Sequence, residues 1–307
     1  MIEPRSSFVD TDSIHLHYLE WDPQGSCDEE YTETTQSKDE VPIVLLHGLG
    51  ATADTWRLVA QDLYHEHVVI AFDLRGHGES EKPTSGYDLT TIAEDVIQGM
   101  AALGLGQVAL VGHGWGARVA LVMTAQHPAL ISHLILVDCP HVEPRHWPGM
   151  TRERFIQETD IGHIYTSRST FIEAMRQEML PFWSPEVEAS LLKTVQERPD
   201  GRLEELLHPD NQRQIRESLW DDRALSYYSK LACPVLLIPA SGEPQAGQEF
   251  PEQLEHTDEF ATAKGYMAAQ VAGVIQRCSV LWMPDTVHDI QLQHPRLLAQ
   301  AIMQFMT

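Results

Sequence analysis

Short apolar runs without alternation punctuate the chain. Ile43–Leu46 running into His47, His67–Phe72, Val108–Val111, His133–Val137, Val235–Ile238 and Ser279–Met283 are each bounded by polar or glycine-rich stops. Strands of a parallel sheet covered on both faces have this form, because neither face meets water and nothing selects for alternation. Between them lie stretches of helical period. Tyr87–Leu103 places Ile92, Ala93, Val96, Ile97 and Met100 on one face, Ala117–Gln126 follows the third run directly, and Leu298–Phe305 closes the chain. Strand, crossover and strand repeated in this order predict an α/β fold, a doubly wound and mostly parallel sheet with right-handed crossovers.

Two segments break this rhythm. Residues 23–40 are polar and acidic, which predicts a solvated surface loop joining early strands. Residues 141–230 carry no comparable apolar run but are rich in aromatic and Met side chains, and Thr170–Leu180 places several of them at helical spacing. The expectation is a core of residues 1–140 and 231–307 with a helical cap, 141–230, over the ends of the sheet. The cap aromatics Trp147, Tyr165, Trp183 and Tyr228 are candidates to face a substrate, with a small self-packed core inside the cap as the alternative use of such side chains.

Charge narrows the function classes. The 307 residues hold 21 Lys+Arg against 45 Asp+Glu, a formal net charge of −24. Such a field repels phosphates, so neither nucleic acid nor an anionic membrane surface is an expected partner. No apolar run approaches the roughly 18 residues of a membrane span, and the first residues, Met-Ile-Glu-Pro-Arg-Ser-Ser, do not read as a secretory signal. Cys27, Cys139, Cys233 and Cys278 lie far apart without a CxxC, which suits a reduced, cytoplasmic chain. Zinc-ligand spacing is absent, and Gly112-x-Gly-x-Gly116 lacks the third-glycine spacing of a dinucleotide loop, so neither metal nor cofactor is expected.

The chemistry concentrates where strands stop. At Gly112-His-Gly-Trp-Gly116 the chain passes from strand to helix within a few residues. Small residues allow that sharp turn and leave residue 114 at its apex. Here the sequence resembles the α/β-hydrolase fold family over nearly its whole length. The family's elbow reads G-x-S-x-G in serine esterases and lactonases, and carries Asp at the apex in epoxide hydrolases and haloalkane dehalogenases. The apex here is Gly114, which has no nucleophilic atom. His47-Gly-Leu-Gly50 matches the family's oxyanion loop, so the resemblance assigns the oxyanion amides to Leu49 and Trp115. Asp73-Leu-Arg-Gly-His-Gly-Glu-Ser80 matches a family segment read here as structural.

The resemblance also implies a general base in the loop after the last strand, where Met283-Pro-Asp-Thr-Val-His288 supplies His288. The acid that orients it is expected at Glu243, after the Val235–Ile238 strand, with Asp138 at the end of the preceding strand as the other position. Asp289 reads as a solvated or helix-proximal charge. The implied function is a carboxylic ester or lactone hydrolase whose serine is replaced by Gly114, leaving an inactivated, substrate-binding chain. The expected ligand is small, neutral and largely apolar. Three alternatives stand beside it. One is a natural non-catalytic binding protein, as in the N-myc downstream-regulated family. Another is an epoxide hydrolase that has lost an Asp nucleophile and would need lid tyrosines such as Tyr165, Tyr227 or Tyr228. The last is chemistry run directly by the histidine–acid pair on water or substrate.

Overall fold

The computed structural model describes residues 2–22, 41–157 and 164–307, so the acidic 23–40 stretch lies outside the described residues. The first half runs β1 (Arg5–Asp10), β2 (His15–Trp21), β3 (Ile43–Leu46), α1 (Arg57–Leu63), β4 (Val69–Phe72), α2 (Leu89–Ala102), β5 (Val108–His113), α3 (Gly114–Gln126) and β6 (Ile131–Val137). Then come α4 (Arg152–Gln157), β7 (Ile164–Tyr165), α5 (Arg168–Glu178), α6 (Pro185–Leu191), β8 (Val195–Glu197), β9 (Leu203–Glu205), α7 (Pro209–Asp221) and α8 (Leu225–Tyr228). The chain finishes with β10 (Val235–Ile238), α9 (Thr257–Ala272), β11 (Cys278–Val280), α10 (Ile290–Gln293) and α11 (Pro295–Met306).

Eight strands form one sheet in the order β1-β2-β4-β3-β5-β6-β10-β11. The six apolar runs supply β3, β4, β5, β6, β10 and β11, which pair parallel throughout. Alternate residues of each strand leave opposite faces. Val44, Leu46, Phe72, Leu110 and Leu134 pack with side chains of α2, α3 and α9, while Ile43, Leu45, Ala71, Val111 and Ile135 pack with α1 and α11. Both faces are therefore apolar, which is why these strands read as unbroken runs.

β1 and β2 have no such signature in the sequence. β1 is a largely exposed edge strand, and β2 interrupts its apolar residues with His15 and His17; both pair antiparallel, β2 against β4. His17 is buried because its Nδ1–H donates to Asp73 Oδ2 at 2.7 Å while the Ser6 hydroxyl donates to Nε2 at 2.8 Å. The segment between β6 and β10 is not purely helical. It contains a small antiparallel sheet, β7-β9-β8, whose strands of two and three residues are too short to show a period. Its apolar side chains divide between a cluster of their own and the main core. Phe171, Met179, Val187 and Leu191 form a separate cluster, whereas Phe155, Ile215, Leu219 and Tyr228 join the main core. Among the described residues no helix is long and apolar enough to cross a membrane, and Cys139, Cys233 and Cys278 are free thiols.

Candidate active site

Open parallel sheets bind ligands beyond the carboxyl ends of their strands, and the candidate residues gather there. β5 passes into α3 at Gly114, which has φ +52°. The turn is tight because α3 lies almost against β3: a Cβ on Gly116 would stand 2.3 Å from the His47 carbonyl oxygen. A Cβ on Gly114 would point elsewhere, 3.0 Å from His288 Nε2 and 3.2 Å from its Cε1. A side chain at the apex would thus face the imidazole directly.

The carboxylate that meets His288 is Asp138, at the end of β6. His288 Nδ1–H donates to Asp138 Oδ2 at 2.6 Å. Asp138 also accepts the Ala240 N–H on Oδ1 at 2.9 Å and the Lys264 ammonium on Oδ2 at 2.8 Å. Its backbone has φ +39°, uncommon for a residue with a side chain. Burial opposes the charge on Asp138, but the hydrogen bond and charge of His288, joined by Lys264, hold its pKa well below the usual carboxylate range. Burial likewise opposes a cation on His288, and the bond to Asp138 outweighs it, raising that pKa above the ordinary imidazole value. The expectation of Glu243 is corrected. Its side chain is exposed, and β10 ends by presenting the Ala240 amide to Asp138 instead of a carboxylate to His288.

His288 is fixed from behind. His113 Nε2–H donates to the His288 carbonyl at 2.9 Å, the two rings lie 4.4 Å apart, and burial first, then the neighbouring His288, lowers the His113 pKa. The 47–50 loop is held in the same manner. The Leu74 N–H donates to His47 Nε2 at 3.0 Å, and the Gly50 N–H donates to His77 Nε2 at 3.1 Å. Burial lowers the His77 pKa to about 3, so the ring stays a neutral acceptor. The structural reading of the 73–80 segment fits this geometry, because His77 also stacks on Trp115 at 5.2 Å. Leu49 and Trp115 both line the cavity. The Trp115 amide lies in the first turn of α3, where N–H groups have no partner within the helix.

The cavity measures about 500 Å³ and is bounded by the strand ends, by Trp147, Phe155 and Leu219 of the 141–230 segment, and by Phe260, Lys264 and Met267 of α9. Of the four cap aromatics expected at a ligand, only Trp147 lines it. Trp183 borders a separate groove with Arg168 and Arg176. Tyr165 packs edge-on against Phe171 at 4.9 Å. Tyr228 is buried with its hydroxyl donating to the His141 carbonyl at 2.9 Å. These three serve packing, and an irregular segment gives no periodic frame from which their direction could be read. Lys264, Arg118 and His141 also line the cavity without having been singled out from the sequence. Arg118 has a legible signal, since it stands one helical turn beyond Gly114. Among the described residues no group of three or more His, Cys, Asp or Glu is placed to hold a metal ion.

Comparison with known proteins places the fold. Residues 41–204 match the model of the α/β hydrolase fold. A soluble epoxide hydrolase from Corynebacterium sp. (strain C12) is 41% identical over 97 residues, 32% of this chain and 34% of that protein. The chain thus spans about a third of the length of the curated relatives it matches. Over nearly full length the fold is similar to E-2-(acetamidomethylene)succinate hydrolase, with TM-score 0.75, 20% identity and 98% of both chains covered. It is also similar to the enol-lactonase from Burkholderia xenovorans LB400, with TM-score 0.65, 17% identity and 97% of this chain and 99% of that one covered. The family match takes in more than half of the chain, including the oxyanion loop, the elbow and Asp138. The chain belongs to the α/β-hydrolase fold family.

Proposed function

We propose that the cavity receives a carboxylic ester or lactone beneath the 141–230 segment, which acts as its cap, and that Gly114 leaves this chain a substrate-binding hydrolase with very low turnover. One observation carries the reading: the 2.6 Å bond between His288 and Asp138 leaves Nε2 aimed at the place where a nucleophile on residue 114 would stand. A serine there would attack the carbonyl, His288 would take its proton, and the Leu49 and Trp115 amides would receive the oxyanion. Glycine removes the acyl-enzyme route. Loss of a triad nucleophile costs about 10⁶ in kcat, leaving roughly 10³–10⁴ over water from the remaining machinery.

That remainder has a balanced path. His288 Nε2 accepts a proton from water as its oxygen bonds to the carbonyl carbon, and the imidazolium returns the proton to the departing alkoxide. The apolar wall of Trp147, Phe155, Leu219 and Met267 suits the body of such a ligand, and an enol-lactonase is among the proteins of similar fold. A purely binding role gives the aligned His288–Asp138 pair no purpose.

Epoxide opening after loss of an Asp nucleophile is the second reading, favoured by the identity to a soluble epoxide hydrolase. The lid tyrosines weigh against it. The Tyr227 hydroxyl donates to Asp222 at 3.0 Å and that of Tyr228 to the His141 carbonyl, and neither lines the cavity among the described residues. Turnover of esters, lactones and epoxides by the unsubstituted chain, Gly114→Ser and Gly114→Asp decides between the two. Serine is expected to raise ester or lactone hydrolysis by several orders of magnitude. Epoxide opening by the Asp variant alone would support the second reading.

A further inference from the structure

The cavity contradicts the charge of the chain that builds it. Acidic residues outnumber basic ones by 45 to 21 overall, yet among the described residues the cavity lining carries Arg118, Arg216, Lys264, His141 and His288 against a single carboxylate, Asp138. That carboxylate is fully committed to His288, Lys264 and the Ala240 amide.

Three of the basic groups form one cluster beside the reacting centre. Arg118 stands four residues beyond Gly114 on α3, and its Nη1 donates to the Pro140 carbonyl at 2.9 Å, tying it to the 138–141 turn. It is only 1% exposed, and its Nη2 is paired with Asp222. Its Nε has no hydrogen-bond partner among the described residues. His141, three residues beyond Asp138, is also 1% exposed, and neither ring nitrogen has a partner among the described residues. Arg118 and Lys264 both act electrostatically on this ring, which burial above all holds neutral, with a pKa lowered to about 4. Lys264 faces the same space from α9 with a quarter of its side chain exposed.

A buried imidazole with two unmet nitrogens beside an arginine with an unmet N–H is an expensive arrangement unless something fills it. Asp222 and Asp138 each take one bond of this cluster, and the groups left unmet around one small volume, Arg118 Nε and the His141 ring, together with the Lys264 ammonium, match an anion. We infer that the Arg118–His141–Lys264 cluster is a carboxylate subsite, and that the ligand is an ester or lactone bearing a free carboxylate, such as the half-ester of a dicarboxylic acid. This rests on the ester or lactone reading above, and it replaces the neutral ligand expected from net charge. The −24 of the whole chain is spread over a surface that salt screens beyond about 8–10 Å, whereas the cluster acts at contact distance.

The test compares monomethyl adipate with dimethyl adipate at fixed ionic strength, as kcat/KM in the Gly114→Ser variant and as affinity for the unsubstituted chain by calorimetry. The half-ester is expected to be preferred at least about tenfold, and Lys264→Met and His141→Gln are each expected to reduce that ratio several-fold. Lys264→Arg should retain most of it. Using a ratio within each variant removes any general loss of activity from the contact between Lys264 and Asp138. Equal use of the two esters, preference for the diester, or a ratio untouched by both substitutions would overturn the subsite while leaving the ester reading intact. If Gly114→Ser hydrolyses neither ester, the ester reading itself fails. Calorimetry then still reads the charge preference, and equal or absent binding overturns it.

Discussion

The strand ends and the segment between β6 and β10 form opposing walls of one cavity, but they hold their side chains by different means. On the sheet side, Gly114, Asp138 and the 47–50 loop are placed by backbone registered across β3, β5 and β6. His288 is tied into that frame by Asp138 and His113. On the side of the 141–230 segment, Phe155 and Leu219 reach the cavity by packing and Trp147 by packing with its indole N–H donating to the Val142 carbonyl at 3.2 Å, while Tyr165, Trp183 and Tyr228 turn away from it. The proposed chemistry thus sits on the wall that the sheet registers, and in that reading the ligand's shape is left to the other.

The contrast fixes an order of effects, measured in the Gly114→Ser background where turnover is readable. His288→Ala is expected to cost the most, about 10⁶ in kcat, because base and nucleophile act as one unit. Asp138→Asn should cost about 10⁴ by removing the carboxylate charge and letting the amide hold the ring in the wrong tautomer, while Glu243→Gln should change kcat/KM less than about twofold, as suits an exposed surface charge. Reversal of that pair of results would return the acid role to Glu243. On the cap wall, Trp147→Ala should raise KM about tenfold with little change in kcat, the expected loss of an aromatic contact made before and during reaction. Trp183→Ala should leave both constants near their starting values. Tyr228→Phe should lower stability by about 1–2 kcal/mol through the unsatisfied His141 carbonyl, seen as a reduced Tm with activity retained.

The pH dependence separates the walls further. Catalysis needs His288 neutral, and its pKa lies above the ordinary value near 6.5. The acid limb of kcat/KM should therefore fall above that pH and move down in Asp138→Asn. The same pair contributes to stability in opposite senses. The raised His288 pKa stabilises fully below its unfolded value, and this is lost as pH rises through the folded one. The depressed Asp138 pKa stabilises above about 3.9, and this is lost as pH falls through its lower folded value.

Legibility in the sequence followed the same division. The parallel strands showed as unbroken apolar runs because both faces are covered, and the elbow showed because close packing of α3 on β3 demands glycine at 116. His288 was singled out only through the family resemblance, which implies a base in the loop after the last strand. The choice of acid was not, because Asp138 and Glu243 both follow strands and only the path of the chain after β10 separates them. β1 and β2 were hidden by a solvated edge and by His17, a buried histidine whose partner Asp73 is far away in sequence. The cationic cluster was hidden by the net charge itself, since composition counts residues wherever they point.

The most direct measurement is the intact mass of Gly114→Ser during the first turnover of a slow ester or lactone. The account predicts an adduct of the acyl group's mass on the peptide containing residue 114, formed faster than it is lost, and absent from Gly114→Ala and from the unsubstituted chain. A folded, ligand-binding Gly114→Ser protein that never acquires the adduct and never turns over would contradict it.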